Sequence, residues 1–148
     1  MKRLSTLLGV LLLSVSPAVA DDFVYLECET KLVATIKDLK SNQITKREEA
    51  TETTHHKVDI ANSRIFLAKK LGWEKVKIVD GVVDLDKEFT EDGFVIKRKG
   101  SWQVVPPGRF IGDSSFSNDT TSTTFKARGM CEGIDESEFE KARKEAMS

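Results

Sequence analysis

Two adjacent histidines, His55 and His56, have the most obvious capacity for chemistry, and they are the only imidazoles in the chain. Apolar and polar residues alternate over residues 53–60, which predicts a β-strand. Neighbouring side chains on a strand point to opposite faces, so the two rings cannot converge on one metal ion as a helical pair four residues apart can. We therefore predict no metal site here: His56 lies in line with Val58 at the rim or in the core, and His55 is solvated.

The serines give no sign of a catalytic nucleophile. None occurs in a Gly-x-Ser-x-Gly turn, and neither histidine is accompanied by a recognisable orienting carboxylate. We predict no catalytic residues and no bound cofactor.

A group of acids follows one predicted strand, with Asp84, Asp86 and Glu88 on one face and Asp80 shortly before them. A calcium loop of the EF-hand type needs its glycine among the acids, whereas here the glycine precedes them. The spacing therefore predicts a solvated acidic strand face opposite Val83, and no metal site.

The two cysteines of the chain, Cys28 and Cys131, are expected to form a disulfide. Residues 24–36 alternate between apolar and polar side chains, which predicts a strand with one buried face, and Cys28 lies on that face. Cys131 lies near the end of the chain, so the bond would join the first strand to the last one. Such pairing is favoured in an oxidising compartment.

The first 20 residues have the pattern of a secretory signal peptide. Lys2 and Arg3 precede an apolar run over residues 4–15, and small residues at Ala18 and Ala20 precede the expected cut. The run is shorter than the roughly 20 residues that cross a bilayer. We predict signal peptide 1–20, a β-barrel or β-sandwich domain 21–134 and a C-terminal helix and tail 135–148.

The charge of the chain without its signal peptide limits the classes of partner that we expect. Without residues 1–20 the chain has 21 basic and 24 acidic residues, a net charge of −3, with both signs interspersed. This balance indicates neither nucleic-acid binding nor membrane insertion after signal cleavage. We expect a secreted or periplasmic monomer.

Turn signals divide the β region into short strands. Asp-Gly pairs at 80–81 and 92–93 suit tight hairpin turns. We also predict a turn at Lys99-Gly100, and a loop over residues 112–119, which are rich in Ser, Asp and Asn and contain Phe116. Asn118 begins an Asn-Asp-Thr acceptor pattern, which would be glycosylated only in a eukaryotic host.

A helix is predicted near the C-terminus. Asp135 and Glu138 form a capping box, and Ile134 and Phe139 have the spacing of a hydrophobic staple. The helix should run to about Ala146. Its apolar stripe is narrow, so we expect it to rest weakly on the barrel or to extend into solvent.

The predicted fold is mainly β: a small antiparallel meander barrel or sandwich of about eight short strands with one C-terminal α-helix. We expect a packed interior, because the inward candidates are bulky: Leu26, Leu32, Ile36, Val58, Ile60, Ile65, Leu67, Val76, Ile78, Leu85, Phe94, Ile96, Trp102, Val104 and Phe125.

One resemblance is carried by residues 94–102, Phe-Val-Ile-Lys-Arg-Lys-Gly-Ser-Trp, and by residues 129–131, Gly-Met-Cys. They resemble short exported bacterial proteins of unknown function, in which a Gly-x-Cys near the C-terminus pairs with a Cys in the first mature strand. The resemblance implies the same pairing here, although the turn is Lys-Gly where Thr-Gly is commoner. More coarsely, the plan is similar to small calycin-like barrels, including periplasmic inhibitors of lysozyme, whose inhibitory loop motifs are not evident in this chain.

The function that these patterns favour is an exported, non-enzymatic binding or interaction module of unknown target, contacting a protein partner through loop 112–119. The alternatives are a carrier of a small ligand and a small hydrolase. An enzyme would need polar groups that converge in a pocket, whereas an interaction module would have a filled core and a chemically plain surface.

Overall fold

A computed structural model of the chain describes residues 23–148. The predicted signal peptide and its cleavage site lie outside the described residues. Within them the chain forms ten β-strands and one α-helix: β1 Phe23–Asp38, β2 Ile44–Asp59, β3 Arg64–Leu67, β4 Trp73–Lys75, β5 Lys77–Val79, β6 Val82–Asp84, β7 Lys87–Glu91, β8 Phe94–Gln103, β9 Gly108–Ser117, β10 Thr121–Gly133 and α1 Glu136–Met147.

All the strands belong to one antiparallel sheet that curls into a nearly closed barrel. Its order is β4-β3-β2-β1-β10-β9-β8-β6-β5, and β7 adds to β8. The first strand therefore pairs with the last, and Cys28 lies directly opposite Cys131 in their register. The two cysteines form the expected disulfide. The predicted fold class, a mainly β antiparallel domain with one C-terminal helix, is confirmed.

The longest strands exceed the expected length. β1 and β2 have 16 residues each and pair from Phe23 opposite Asp59 to Lys37 opposite Ile44. The strongly charged segment 45–52, which does not have the alternation of a strand, also belongs to β2; its residues are exposed except for Glu52, which is partly buried. They can be charged because the strand is already anchored along its whole length by its hydrogen bonds to β1.

The two Asp-Gly turns are confirmed, whereas the turn at Lys99-Gly100 is wrong. Positive φ angles occur at both residues of each Asp-Gly pair, 51° and 73° at 80–81 and 50° and 79° at 92–93, as a primed hairpin turn requires. β8 instead continues through Gly100, which lies opposite Gly112 of β9. A Cβ at position 100 would collide with the backbone of Ile111 and Gly112. Glycine at position 100 therefore allows β8 and β9 to approach each other closely.

The predicted loop 112–119 is also wrong, because β9 continues to Ser117. The turn occupies only the next few residues, where the Asn118 side-chain oxygen accepts hydrogen bonds from the backbone N–H groups of Thr120 and Thr121 at 3.0 and 2.8 Å. Phe116 is not stranded in a loop but packs edge to face on Phe125, with 5.7 Å between ring centroids. The Ser-rich composition of this segment is typical of a loop, but the segment forms a strand because it pairs with β8 on one side and with β10 on the other.

The main core lies at the end of the barrel that contains the disulfide. Its members are all at most 4% exposed and are drawn from β1, β2, β6, β8 and β10 and from the residue after β8: Leu26, Cys28, Val58, Val83, Trp102, Val104 and Cys131. The expectation of a packed interior holds for this end of the barrel.

A second cluster lies on the outside of the sheet, under α1. The capping box is present, because Asp135 accepts from the Glu138 N–H at 2.9 Å and Glu138 accepts from the Asp135 N–H at 3.0 Å. Phe139, one turn into the helix, is 1% exposed and packs on Phe66 and Ala68. The expected weak attachment of the helix is therefore wrong: one large aromatic side chain anchors it.

Candidate functional site

The two histidines point to opposite faces of β2, as predicted. On the outer face the Nε2 atom of His55 lies 2.8 Å from a carboxylate oxygen of Glu27. The His55 side chain is 23% exposed, so it is a paired group and not a freely solvated one. Within residues 23–148 there is no group of three or more His, Cys, Asp or Glu side chains that could hold a metal ion.

His56 faces the inside of the barrel. Its Nε2 atom lies 2.8 Å from the Thr54 hydroxyl, and its ring meets the edge of Trp102 at 4.7 Å between centroids. The Nδ1 atom is buried without a hydrogen-bond partner in the described structure. Burial, with smaller contributions from His55 and Lys69, lowers the pKa of His56 to about 4. The imidazole is therefore neutral at physiological pH and serves as part of an apolar wall.

The acids at 84–88 do not form one strand face, because β6 ends at Asp84 and β7 begins only at Lys87. Asp84 accepts from the Asp86 N–H at 2.9 Å, and Asp86 accepts from the Gly100 N–H at 2.9 Å. Glu88 forms an exposed ion pair with Lys97 at 3.5 Å. These carboxylates hold the connection between β6 and β7 against β8, and they do not converge on a common point.

The described side chains converge instead around an apolar cleft inside the barrel. It consists of two cavities of about 260 and 350 Å³ that share Leu32 of β1, Phe110 of β9 and Ala127 of β10. Trp102 and His56 line the first cavity, and Phe116 and Phe125 line the second. The expectation of a packed interior fails in this part of the barrel.

Two features of the chain leave this space open. Some inward positions of β9 and β10 carry small residues, and a Cβ at Gly112 would point toward the rings and methyl groups of Phe110 and Leu85. In addition, β2 pairs only with β1 and β3, and β7 pairs only with β8, in the part of the chain that the structure describes. The sheet is thus not hydrogen-bonded into a complete barrel.

Charged residues lie at the margin of the cleft. In the first cavity Glu52 forms an ion pair with Lys69. In the second cavity Arg98, Lys99 and Asp113 are lining residues. The Asp113 carboxylate is held by Arg128 at 2.7 Å, which keeps its pKa below the usual range. The site therefore combines an apolar interior with a polar rim, an arrangement suited to holding a molecule.

Several cleft residues, among them Leu32, Trp102 and Phe125, were predicted from the sequence to belong to a filled core. Two further cleft residues were not predicted: Ala127, which has a small side chain, and Gly112, which has none. Their inward positions follow from strand alternation once β9 is known to extend through position 112. The loop assigned to residues 112–119 removed that signal.

Comparison of the chain with protein-family models, with curated proteins and with solved structures found no match. Over residues 23–148 no helix has both the length and the apolar character needed to cross a membrane.

Proposed function

We propose that this chain is an exported, non-enzymatic binding module that holds an apolar ligand in the cleft of its incomplete barrel. The observation that carries the proposal is the pair of adjoining cavities that share Leu32, Phe110 and Ala127. The proposal joins the binding module that the sequence favours with the small-ligand carrier that was its alternative, because the module acts by holding a small ligand.

The size and the lining of the cleft support ligand binding. Small-molecule sites in proteins enclose roughly 300 to 1,000 Å³, are mostly apolar and carry a few polar groups that fix orientation. The larger cavity alone, at about 350 Å³, is in this range. A neutral His56 at the wall of the other cavity adds surface without a charge that an apolar ligand would have to desolvate.

The frame around the cleft supports a site that exists before the ligand arrives. The Cys28–Cys131 bond joins β1 and β10, the two strands that supply Leu32 and Ala127. The Trp102 indole N–H lies 3.1 Å from Cys131 Sγ, so the wall of the first cavity is fixed to the disulfide. A pre-organised site loses less conformational entropy on binding.

Export is part of the proposal. It is supported by the signal-like residues 1–20 and by the disulfide, which is stable in an oxidising compartment. We place the mature protein outside the cytoplasm, secreted or periplasmic, as a monomer related in plan to the short exported proteins that it resembles. Residues 112–117 belong to a strand, so contact with a partner is assigned to the cleft and not to a loop there.

The test uses N-phenyl-1-naphthylamine, a neutral apolar dye whose fluorescence increases in an apolar site. We expect saturable binding to the wild-type chain, and loss of binding in Ala127→Leu, because the larger side chain fills the space common to both cavities. Lys126→Leu is the matched control. Lys126 is the neighbour of Ala127 on β10 and points to the opposite face of the sheet, so this substitution introduces a leucine outside the cleft. Circular dichroism and denaturant unfolding establish that both variants are folded.

Equal dye binding by Ala127→Leu and Lys126→Leu, both folded, would contradict the proposal. A second measurement does not depend on a variant: native mass spectrometry of protein purified from its own host should show an apolar molecule bound in a one-to-one ratio. Absence of dye binding by the wild-type chain would overturn the proposed function.

A further inference from the structure

Two cations face each other on the wall of the barrel beside the cleft. Lys87 of β7 is the cross-strand neighbour of Arg98 of β8, and Arg98 is in turn opposite Ser114 of β9. Ser114 lies opposite Phe125 of β10. Cross-strand neighbours share a face of the sheet, so these residues form one row, which we call the cationic row, that leads from two positive charges to an aromatic wall of the cleft.

The two cations of the row lack a compensating acid. Like charges directly opposite each other destabilise a strand pair. Among residues 23–148 neither Lys87 nor Arg98 has a carboxylate within the 4.0 Å of an ion pair, whereas Lys97, the neighbour of Arg98 on the outer face, is paired with Glu88. The ammonium of Lys87 instead lies 5.0 Å from the ring centre of Phe89.

The cationic row is continuous with the apolar site. Arg98 and Ser114 line the larger cavity together with Leu32, Phe116 and Phe125. Ser114 is partly buried, and Arg98 is exposed. A molecule in this cavity would have its apolar part among the aromatic rings and its other end beside a guanidinium, a hydroxyl and, on the adjoining strand, an ammonium.

We infer that the ligand of the cleft is an amphiphile with an anionic head group, held by Arg98 with the support of Lys87 and Ser114. This inference rests on the proposed function and names the class of ligand. A guanidinium presents parallel N–H donors to a carboxylate or phosphate, and a bound anion would relieve the repulsion between Arg98 and Lys87. The apolar tail extends from the row toward Leu32 and Ala127.

The experiment compares ligands that share a dodecyl tail and differ in the head group, each below the concentration at which it forms micelles. Dodecanoate, dodecyl phosphate and dodecan-1-ol compete with N-phenyl-1-naphthylamine for the full exported chain. We expect the anions to bind at least about tenfold more tightly than the alcohol, the gain typical of hydrogen bonds to a charged group. The ratio of dodecanoate to dodecyl phosphate then distinguishes a free fatty-acid head from a phospholipid-like one.

Three variants locate the head group. Arg98→Gln and Lys87→Gln should weaken the binding of the two anions much more than the binding of dodecan-1-ol, so that the preference for the anions is lost. Lys97→Gln is the matched control, because it removes a cation of the same strand on the opposite face. Neither Arg98→Gln nor Lys87→Gln should lower the denaturation midpoint of the free protein, since each relieves a like-charge contact.

Failure of the inference can be separated from failure of the proposed function. If dodecan-1-ol and the dye bind the wild-type chain but the anions bind no more tightly, the head-group inference is overturned and the apolar site stands. If the preference for anions persists in Arg98→Gln and Lys87→Gln, the assignment to the cationic row is overturned. If neither the dye nor any dodecyl ligand binds, both proposals are overturned.

Discussion

The ring of Phe139 packs against the ring of Tyr25, with 5.7 Å between the centroids and 50° between the planes. Phe66 meets the same phenyl ring at 6.3 Å, nearly edge to face. The chain also enters the helix through a hydrogen bond from the Ile134 N–H to the Tyr25 carbonyl oxygen at 3.0 Å. The outer face of β1 to β3 thus forms a socket for α1, separate from the core around the disulfide.

Truncation of the anchor should destabilise the whole domain. We expect Phe139→Ala to lower the free energy of unfolding by about 3 kcal/mol or more, the cost of emptying a buried phenylalanine site. Met147→Ala is the control on the same helix, because its side chain is 51% exposed and surface substitutions change stability by only about 0.5 kcal/mol. Urea denaturation of the three proteins measures both effects, and equal midpoints would mean that the helix does not stabilise the sheet.

Reduction of the disulfide should lower the free energy of unfolding by more than the Phe139→Ala substitution does. Cys28 and Cys131 are separated by 103 residues, and the chain-entropy model gives about 4 to 5 kcal/mol for a closed loop of this length. We expect the reduced protein to unfold at a lower urea concentration than the oxidised one. Intact-mass analysis after alkylation without reductant identifies the starting state: two added labels on the folded, exported protein would contradict the bond.

Much of the fold could be predicted because its signals are local. The alternation in β1, the Asp-Gly turns and the capping box at Asp135 each depend on a few neighbouring residues, and each is present. The errors came where a distant partner decides the structure. The strand β9 is polar by composition but is held by β8 and β10, and the narrow stripe of α1 suffices because Phe66 and Tyr25 complete its socket.

The cleft could not be predicted for a related reason. Bulky residues such as Leu32 and Phe125 are inward on the sheet, but the sequence does not reveal whether opposite walls meet. That depends on the closure of the barrel, which is incomplete because β2 and β7 have no mutual pairing in the described structure. The cationic row depends on register in the same way, since Lys87 and Arg98 are far enough apart in sequence that only the β7–β8 pairing makes them neighbours.

Substitution of Gly100 should be much more harmful than substitution of Gly72. A Cβ at Gly100 would collide with the Ile111 carbonyl oxygen and would lie 2.8 Å from the Cα of Gly112, both of them backbone atoms, whereas a Cβ at Gly72 has nothing within 4 Å. We expect Gly100→Ala to cost at least about 2 kcal/mol through overpacking, and Gly72→Ala to leave stability within about 0.5 kcal/mol of the wild type. Thermal or urea denaturation of the pair measures the difference, and a Gly100→Ala protein as stable as Gly72→Ala would show that β8 and β9 can separate at no cost.

Mild acid should weaken the fold through His56. The pKa of this imidazole falls from 6.5 to about 4 on folding, chiefly because burial disfavours the charged ring. Between these two values the unfolded chain binds a proton that the folded chain does not, so stability is fully present above about pH 6.5 and decreases as the pH falls toward 4. From about pH 7.5 to about pH 5 the expected loss is about 2 kcal/mol.

Two measurements test whether His56 causes the pH dependence of stability. Urea denaturation at about pH 7.5 and about pH 5 should show this loss of stability in the wild type, and a much smaller loss in His56→Gln. His55→Gln is the control and should lose as much stability as the wild type, because the His55 side chain lies on the outer face beside Glu27. Carboxylates with lowered pKa values, such as Asp113 beside Arg128, lose their contribution only at lower pH, because they protonate below their usual range. Titration of the His56 ring by NMR measures its pKa in the folded protein directly. A folded-state pKa near 6.5 would contradict the prediction, because the ring beside Trp102 would then become charged at the same pH as in the unfolded chain.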